Sequence, residues 1–115
     1  AALAGPGTTL GEALLDQRIA AGIGNVYKSE ACWAVRLDPG RPLADVAPED
    51  RRRVWATAAR QLQANLGHAE RRTHPAGLAV YGRRGQPCRR CGTAIRMARQ
   101  GVQARSTYWC PTCQT

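Results

Sequence analysis

Four of the five cysteines fall in two pairs, Cys88-x2-Cys91 and Cys110-x2-Cys113, with 18 residues between the pairs. That is the spacing of a four-thiolate zinc site, in which each tight C-x2-C turn offers two sulfurs to one ion. Gly92, directly after the first pair, supplies the backbone freedom such a turn needs. Four protein sulfurs complete a tetrahedron, so one structural Zn2+ is expected rather than a catalytic one. Two disulfides are the competing chemistry, which the expectation of a cytosolic chain disfavours. A matched pair of CxxC motifs likewise argues against a redox site. Cys32, between Ala31 and Trp33, reads as a small buried side chain. His68 and His74 lack ligand-like spacing and read as surface residues.

A second constellation is Gly22-Ile23-Gly24-Asn25, which two glycines mark as a tight turn leading into a helix. Backbone N–H groups at a helix start, reinforced by the helix dipole, form an anion site. Asn25 suits the N-cap, and its amide can donate to a phosphate oxygen; Lys28, one turn on, can reach the same phosphate. The same residues also suit a plain bend, with glycines for the turn, Asn25 for the cap and Lys28 for solubility.

Charge sharpens the choice of partner. The 115 residues carry a formal charge of +9. Residues 1–70 hold eight basic and eight acidic side chains, whereas residues 71–115 hold nine arginines and no acid. A one-sided excess of this kind points to a polyanion, most often nucleic acid, with a solvated basic face as the plainer alternative. No apolar run approaches the length of a membrane span, which excludes a helical membrane protein. A chain of this length builds one modest domain or two small ones, at least one of them stapled.

These residues need elements to position them. Residues 1–9 form a flexible lead-in, and Thr8 or Thr9 caps a first helix through Leu10, Ala13 and Leu14 toward Arg18. After the glycine turn, a second helix is predicted from Val26 to about Val35, ended by the Leu37–Pro42 loop. Pro48, with Glu49 and Asp50 behind it, announces a third helix. That helix buries Val54, Ala58, Leu62 and Leu66 along one face, with Trp55 beside them, and ends at Gly67. Residues 71–87 are irregular apart from a short strand at Leu78–Tyr81. From Cys88 onward the pattern is a hairpin pinned by cysteines, because Ile95, Met97 and Val102 are too few to make a core. The predicted fold is mainly α, with a helical domain over 1–79 and a four-cysteine zinc-finger β-hairpin over 80–115.

Leu14-Leu15-Asp16-Gln17 followed by Ala21-Gly22-Ile23-Gly24-Asn25-Val26-Tyr27-Lys28-Ser29-Glu30 resembles the helix-two-turn-helix signature of bacterial formamidopyrimidine-DNA glycosylases and endonuclease VIII. Val80-Tyr81-Gly82-Arg83, Gln86-Pro87-Cys88, Cys91-Gly92 and the run from Arg105 to Gln114 resemble that family's C-terminal zinc finger. The resemblance implies a base-excision repair glycosylase and AP lyase that bends duplex DNA, flips out an oxidised base and nicks the backbone. It places Asn25 and Arg105 on the phosphates flanking the flipped nucleotide and gives Arg105 a part in δ-elimination; Gly24 and Lys28 join them as DNA-binding candidates from the helix-start reading. It implies Cys88, Cys91, Cys110 and Cys113 as zinc ligands, damaged or abasic double-stranded DNA as partner, and a monomer in the bacterial cytoplasm, associated with the nucleoid.

Family members carry an N-terminal Pro-Glu whose proline amine is the nucleophile, whereas this chain begins Ala1-Ala2-Leu3. The expectation is therefore a C-terminal half that works with a separate N-terminal catalytic domain and has no glycosylase activity of its own. Gly11 stands where many formamidopyrimidine glycosylases have Lys, which, with Lys28 present, favours the endonuclease VIII-like branch. Two other classes fit the charge: a non-enzymatic ribosomal or transcription-related zinc-ribbon module, and a scaffold whose finger binds an acidic protein. Neither accounts for Asn25 and Arg105 in one chain at this spacing.

Overall fold

The computed structural model describes residues 8–15, 24–67, 71–101 and 104–115. Among these, α1 spans Leu10–Leu15, α2 Asn25–Ala34 and α3 Pro48–Asn65, followed by strands β1 (Arg96–Gln100) and β2 (Arg105–Trp109). The glycine turn through residue 23, the continuation of α1 toward Arg18, His68 and Val102 lie outside the described residues. No described helix is long and apolar enough to cross a membrane.

α1 and α3 start for local reasons. Thr9 and Glu12 form a reciprocal cap on α1: the Glu12 N–H donates to Thr9 Oγ1 at 3.3 Å, and the Thr9 N–H donates to Glu12 Oε1 at 3.3 Å. The next orphan donors of α1 are met by the loop after α2, with the Leu10 N–H bonded to the Arg41 carbonyl and the Gly11 N–H to that of Pro39, both at 2.9 Å. α2 stops where Arg36 takes the left-handed region at φ 64°. Pro48 opens α3, with Glu49 and Asp50 in the first turn complementing the dipole.

Two apolar clusters hold the chain. One joins Leu10, Leu14, Ala31, Cys32, Val54 and Ala58 with their neighbours from all three helices, and Trp55 and Leu62 pack against it. The other is small, built of Val80, Ile95 and three of the four paired cysteines, with Trp33 and Tyr108 leaning on it. Cys32 is buried as expected, and burial pushes its thiol up to about 12. Leu66 corrects the sequence reading: α3 ends at Asn65, the chain leaves in extended form, and Leu66 is 59% exposed.

β1 and β2 pair antiparallel, with Arg96 opposite Trp109 and Gln100 opposite Arg105. The predicted strand at Leu78–Tyr81 is absent; that backbone runs irregularly because its N–H groups are taken by a side chain of α2 rather than by a neighbouring strand. His74 is also not a plain surface residue: it is half-buried, with its ring edge-on to Trp33 at 6.1 Å.

Candidate nucleic-acid interface and metal centre

One face of α2 is laid along β2. Asn25 Nδ2 donates to the Ser106 carbonyl at 2.8 Å, Lys28 Nζ to Thr107 Oγ1 at 2.7 Å, and the Tyr108 N–H to Ser29 Oγ at 3.2 Å. Residues 25, 28 and 29 share a helix face, and they meet three successive residues of the strand. The network continues to α1. Thr107 Oγ1 donates to Gln100 Oε1 at 3.0 Å, and Gln100 Nε2 lies 2.9 Å from Thr9 Oγ1 and 2.8 Å from the Pro39 carbonyl.

Two expectations change here. Gly24, not Asn25, is the N-cap of α2: its backbone is extended at φ −93° and ψ 177°, it has no side chain to cap with, and the Asn25 amide donates to the hairpin instead. Lys28 does not project from the helix; it is 0% exposed, with its nitrogen on Thr107. Burial, with Arg105 adding like charge, lowers its pKa to about 8 against opposing contributions from Cys32 and Glu12.

The start of α2 remains a donor site. The first intrahelical bond of this turn is Lys28 N–H to the Gly24 carbonyl at 3.0 Å, so the N–H groups of residues 25–27 have no acceptor within the helix. Gly24 is exposed, and a Cβ there would meet nothing within 4 Å. A groove of about 970 Å³ opens at this point, lined by Gly24, Asn25, Leu66, Arg71, Arg72 and Tyr81 among others. Asn65 shapes its wall, accepting from the Arg72 N–H at 2.6 Å and donating to the Arg72 carbonyl at 3.0 Å. Arg105 lies exposed at the start of β2, one residue from the Ser106 carbonyl that Asn25 holds.

Glu30 is a residue that sequence reasoning missed. It is 1% exposed, and its carboxylate accepts from the N–H groups of Ala79 at 2.7 Å, Val80 at 2.8 Å and Tyr81 at 2.9 Å, and from the Thr73 hydroxyl. An acid set among Tyr27, Ala31 and Cys32 was the available signal, since a buried carboxylate requires donors around it.

The four paired cysteines converge. Their sulfurs lie within 4.8 Å of one another, with Cys88 and Cys113 3.8 Å apart and Cys91 and Cys110 3.4 Å apart. Zinc about 2.3 Å from each of four sulfurs requires edges of about 3.8 Å, so the set fits the ion. None of the five cysteines is in a disulfide. Burial opposes ionisation of Cys88, yet donors from the Trp33 indole and the Arg90 and Cys91 backbone bring it down to about 6; burial pushes Cys110 up to about 11. Four such sulfurs become thiolates together only around a cation.

A three-helix unit with a donor-rich helix start, tied to a four-cysteine hairpin, defines a helix-two-turn-helix protein with a zinc finger. Residues 2–74 match the formamidopyrimidine-DNA glycosylase H2TH domain, and residues 85–115 match the zinc finger found in FPG and IleRS. The chain belongs to the formamidopyrimidine-DNA glycosylase H2TH family. It is 48% identical over 116 residues to the probable endonuclease 8 2 of Streptomyces coelicolor, covering 96% of this chain and 42% of that protein. It is similar to the crystal structure of the MutM (Fpg) protein of Thermus thermophilus, with TM-score 0.75 and 37% identity over 92% of this chain and 44% of that one. A Lactococcus lactis Fpg bound to DNA containing an abasic site superposes with TM-score 0.80 at 27% identity, over 99% of this chain and 45% of that one. The chain thus spans less than half the length of these relatives.

Proposed function

We propose that these residues are the DNA-gripping part of a bifunctional base-excision repair glycosylase and AP lyase of the endonuclease VIII-like branch, acting on oxidised bases in cytoplasmic, nucleoid-associated DNA. The observation that carries the reading is the Asn25–Ser106 hydrogen bond, 2.8 Å long, which ties the donor-rich start of α2 to the strand that begins with Arg105. Two phosphate-seeking groups on separate elements, held in a fixed relation, suit neighbouring phosphates of one kinked backbone. Their contacts offset the cost of unstacking a nucleotide.

Relatives named endonuclease 8 and the Lactococcus lactis complex with abasic-site DNA support the same reading. In this proposal Gly24, Asn25 and Arg105 contact phosphates, Arg105 assists δ-elimination, and Lys28 acts indirectly by holding Thr107. The base-removing amine belongs to a catalytic domain outside these residues, so the 115-residue chain binds without excising.

The test compares Arg105→Ala with Arg99→Ala for binding to a duplex with an abasic-site analogue, across a salt series. Arg105→Ala is expected to weaken binding at least tenfold more than Arg99→Ala. Equal losses would reduce the finger to bulk charge, and stronger binding to structured RNA than to abasic duplex would overturn the repair assignment.

A further inference from the structure

Trp33, in the last turn of α2, donates its indole Nε1 N–H to Cys88 Sγ at 3.4 Å. The same sulfur receives the Arg90 backbone N–H at 3.4 Å. That second donor belongs to the C-x2-C turn itself, whereas the indole arrives from a helix 55 residues away in sequence. Its placement is over-determined. The Arg90 guanidinium carbon lies 4.0 Å from the centroid of the Trp33 ring, Arg90 Nη2 donates to the Trp33 carbonyl at 2.9 Å, and His74 stands edge-on to the ring. One residue of the finger therefore clamps both the ring and the carbonyl of Trp33, and the indole N–H is left aimed at a metal-ligand sulfur.

We propose that Trp33 is an outer-shell residue of the zinc centre, coupling zinc retention to α2. A Zn2+ held by four thiolates carries a net charge of −2, and each N–H donor to a sulfur spreads that charge and lowers the cost of burying it. Cys88 is buried, so a donor there acts with little competition from water. Zinc binding and the packing of the α2 C-terminus then stabilise each other. This inference rests on the zinc site alone and stands whether or not the chain binds damaged DNA.

The test is Trp33→Phe in the full chain, which keeps an aromatic ring under Arg90 and removes only the donor and part of the ring. Competition with a chromophoric zinc chelator is expected to show about tenfold weaker zinc binding, with helical circular dichroism unchanged in the zinc-loaded protein. A zinc affinity within twofold of the wild type overturns the proposal. A measurement on the unaltered protein covers the case of a variant that does not fold. With 15N-labelled tryptophan, the Trp33 indole N–H should be protected from hydrogen exchange when zinc is bound and lose that protection on chelation. An indole N–H that exchanges at the same rate with and without zinc refutes the coupling.

Discussion

The Asn25 amide and the Ser106 carbonyl meet at 2.8 Å, and this contact makes the first residue of α2 a joint between two modules. Below it on the same helix, Lys28 and Ser29 engage Thr107 and Tyr108, and Trp33 engages Cys88. The helix that offers backbone donors at its first turn therefore touches the zinc site at its last. Arg105 is positioned by this joint as much as by the hairpin it opens.

Asn25→Ala should weaken binding to abasic-site duplex about tenfold, on the order of 1.4 kcal/mol, while leaving the salt dependence unchanged. Asn25 is uncharged, so its loss releases no counterion. Arg105→Ala should instead lower the slope of log K against log salt by about one. Measuring both variants over a salt series separates a positioning loss from a charge loss; a reduced slope for Asn25→Ala would refute this division of roles.

Glu30→Gln should destabilise the fold by about 2–4 kcal/mol in chemical unfolding, because an amide presents an NH2 to donors that the carboxylate now accepts from. Its two oxygens serve three backbone N–H groups and the Thr73 hydroxyl, and no amide rotamer satisfies them all. A loss below about 0.5 kcal/mol would mean that the 79–81 backbone finds other acceptors.

What could be read in advance was what is encoded locally. The C-x2-C turns, the Thr9 cap and the Pro48 helix start depend on neighbours within a few residues, so their residue types announce them. What could not be read was encoded between distant segments. Lys28 looks like a solvent-facing lysine until Thr107, 79 residues on, is found to hold it. Leu78–Tyr81 has strand-like residues, yet Glu30 takes its N–H groups from 49 to 51 residues away. A period of 3.6 carried Leu66 onto the core face, but the helix ends at Asn65, and periodicity has no meaning beyond a helix end.

Lys28 makes stability depend on pH in a defined window. Its pKa in the folded state is about 8, lowered from 10.5, so between these values the unfolded chain binds more protons. Stability from this group therefore rises as pH increases from about 8 to 10.5, by up to about 3 kcal/mol. Lys28→Met removes the proton uptake. The difference in unfolding free energy, wild type minus Lys28→Met, should grow across that window and be flat below pH 7. Taking the difference cancels the four paired thiols, which titrate in both proteins, and leaves Lys28 together with its coupling to Cys32; a difference that stays constant to pH 10.5 would show that Lys28 retains an ordinary pKa.

Gly11 and Gln100 constrain each other across the α1–β1 contact. Gly11 lies buried in α1, and a Cβ there would fall well inside contact distance of Gln100 Oε1. Gln100 cannot simply swing away, because its amide is held by Thr9, Pro39 and Thr107. The glycine thus makes room for the side chain that docks β1 onto α1, and a lysine at this position is incompatible with that arrangement. Alanine is favoured over glycine in the middle of a helix by about 0.5–1 kcal/mol and by less at the second position of α1, so a net loss in this protein measures the clash. The expected outcome is destabilisation of about 1–2 kcal/mol by Gly11→Ala in the wild type. In a Gln100→Ala background the same substitution should become neutral or stabilising, giving an interaction energy of about 1–3 kcal/mol in the double-mutant cycle. Additive losses would show that Gln100 yields without cost and that the glycine is there for some other contact.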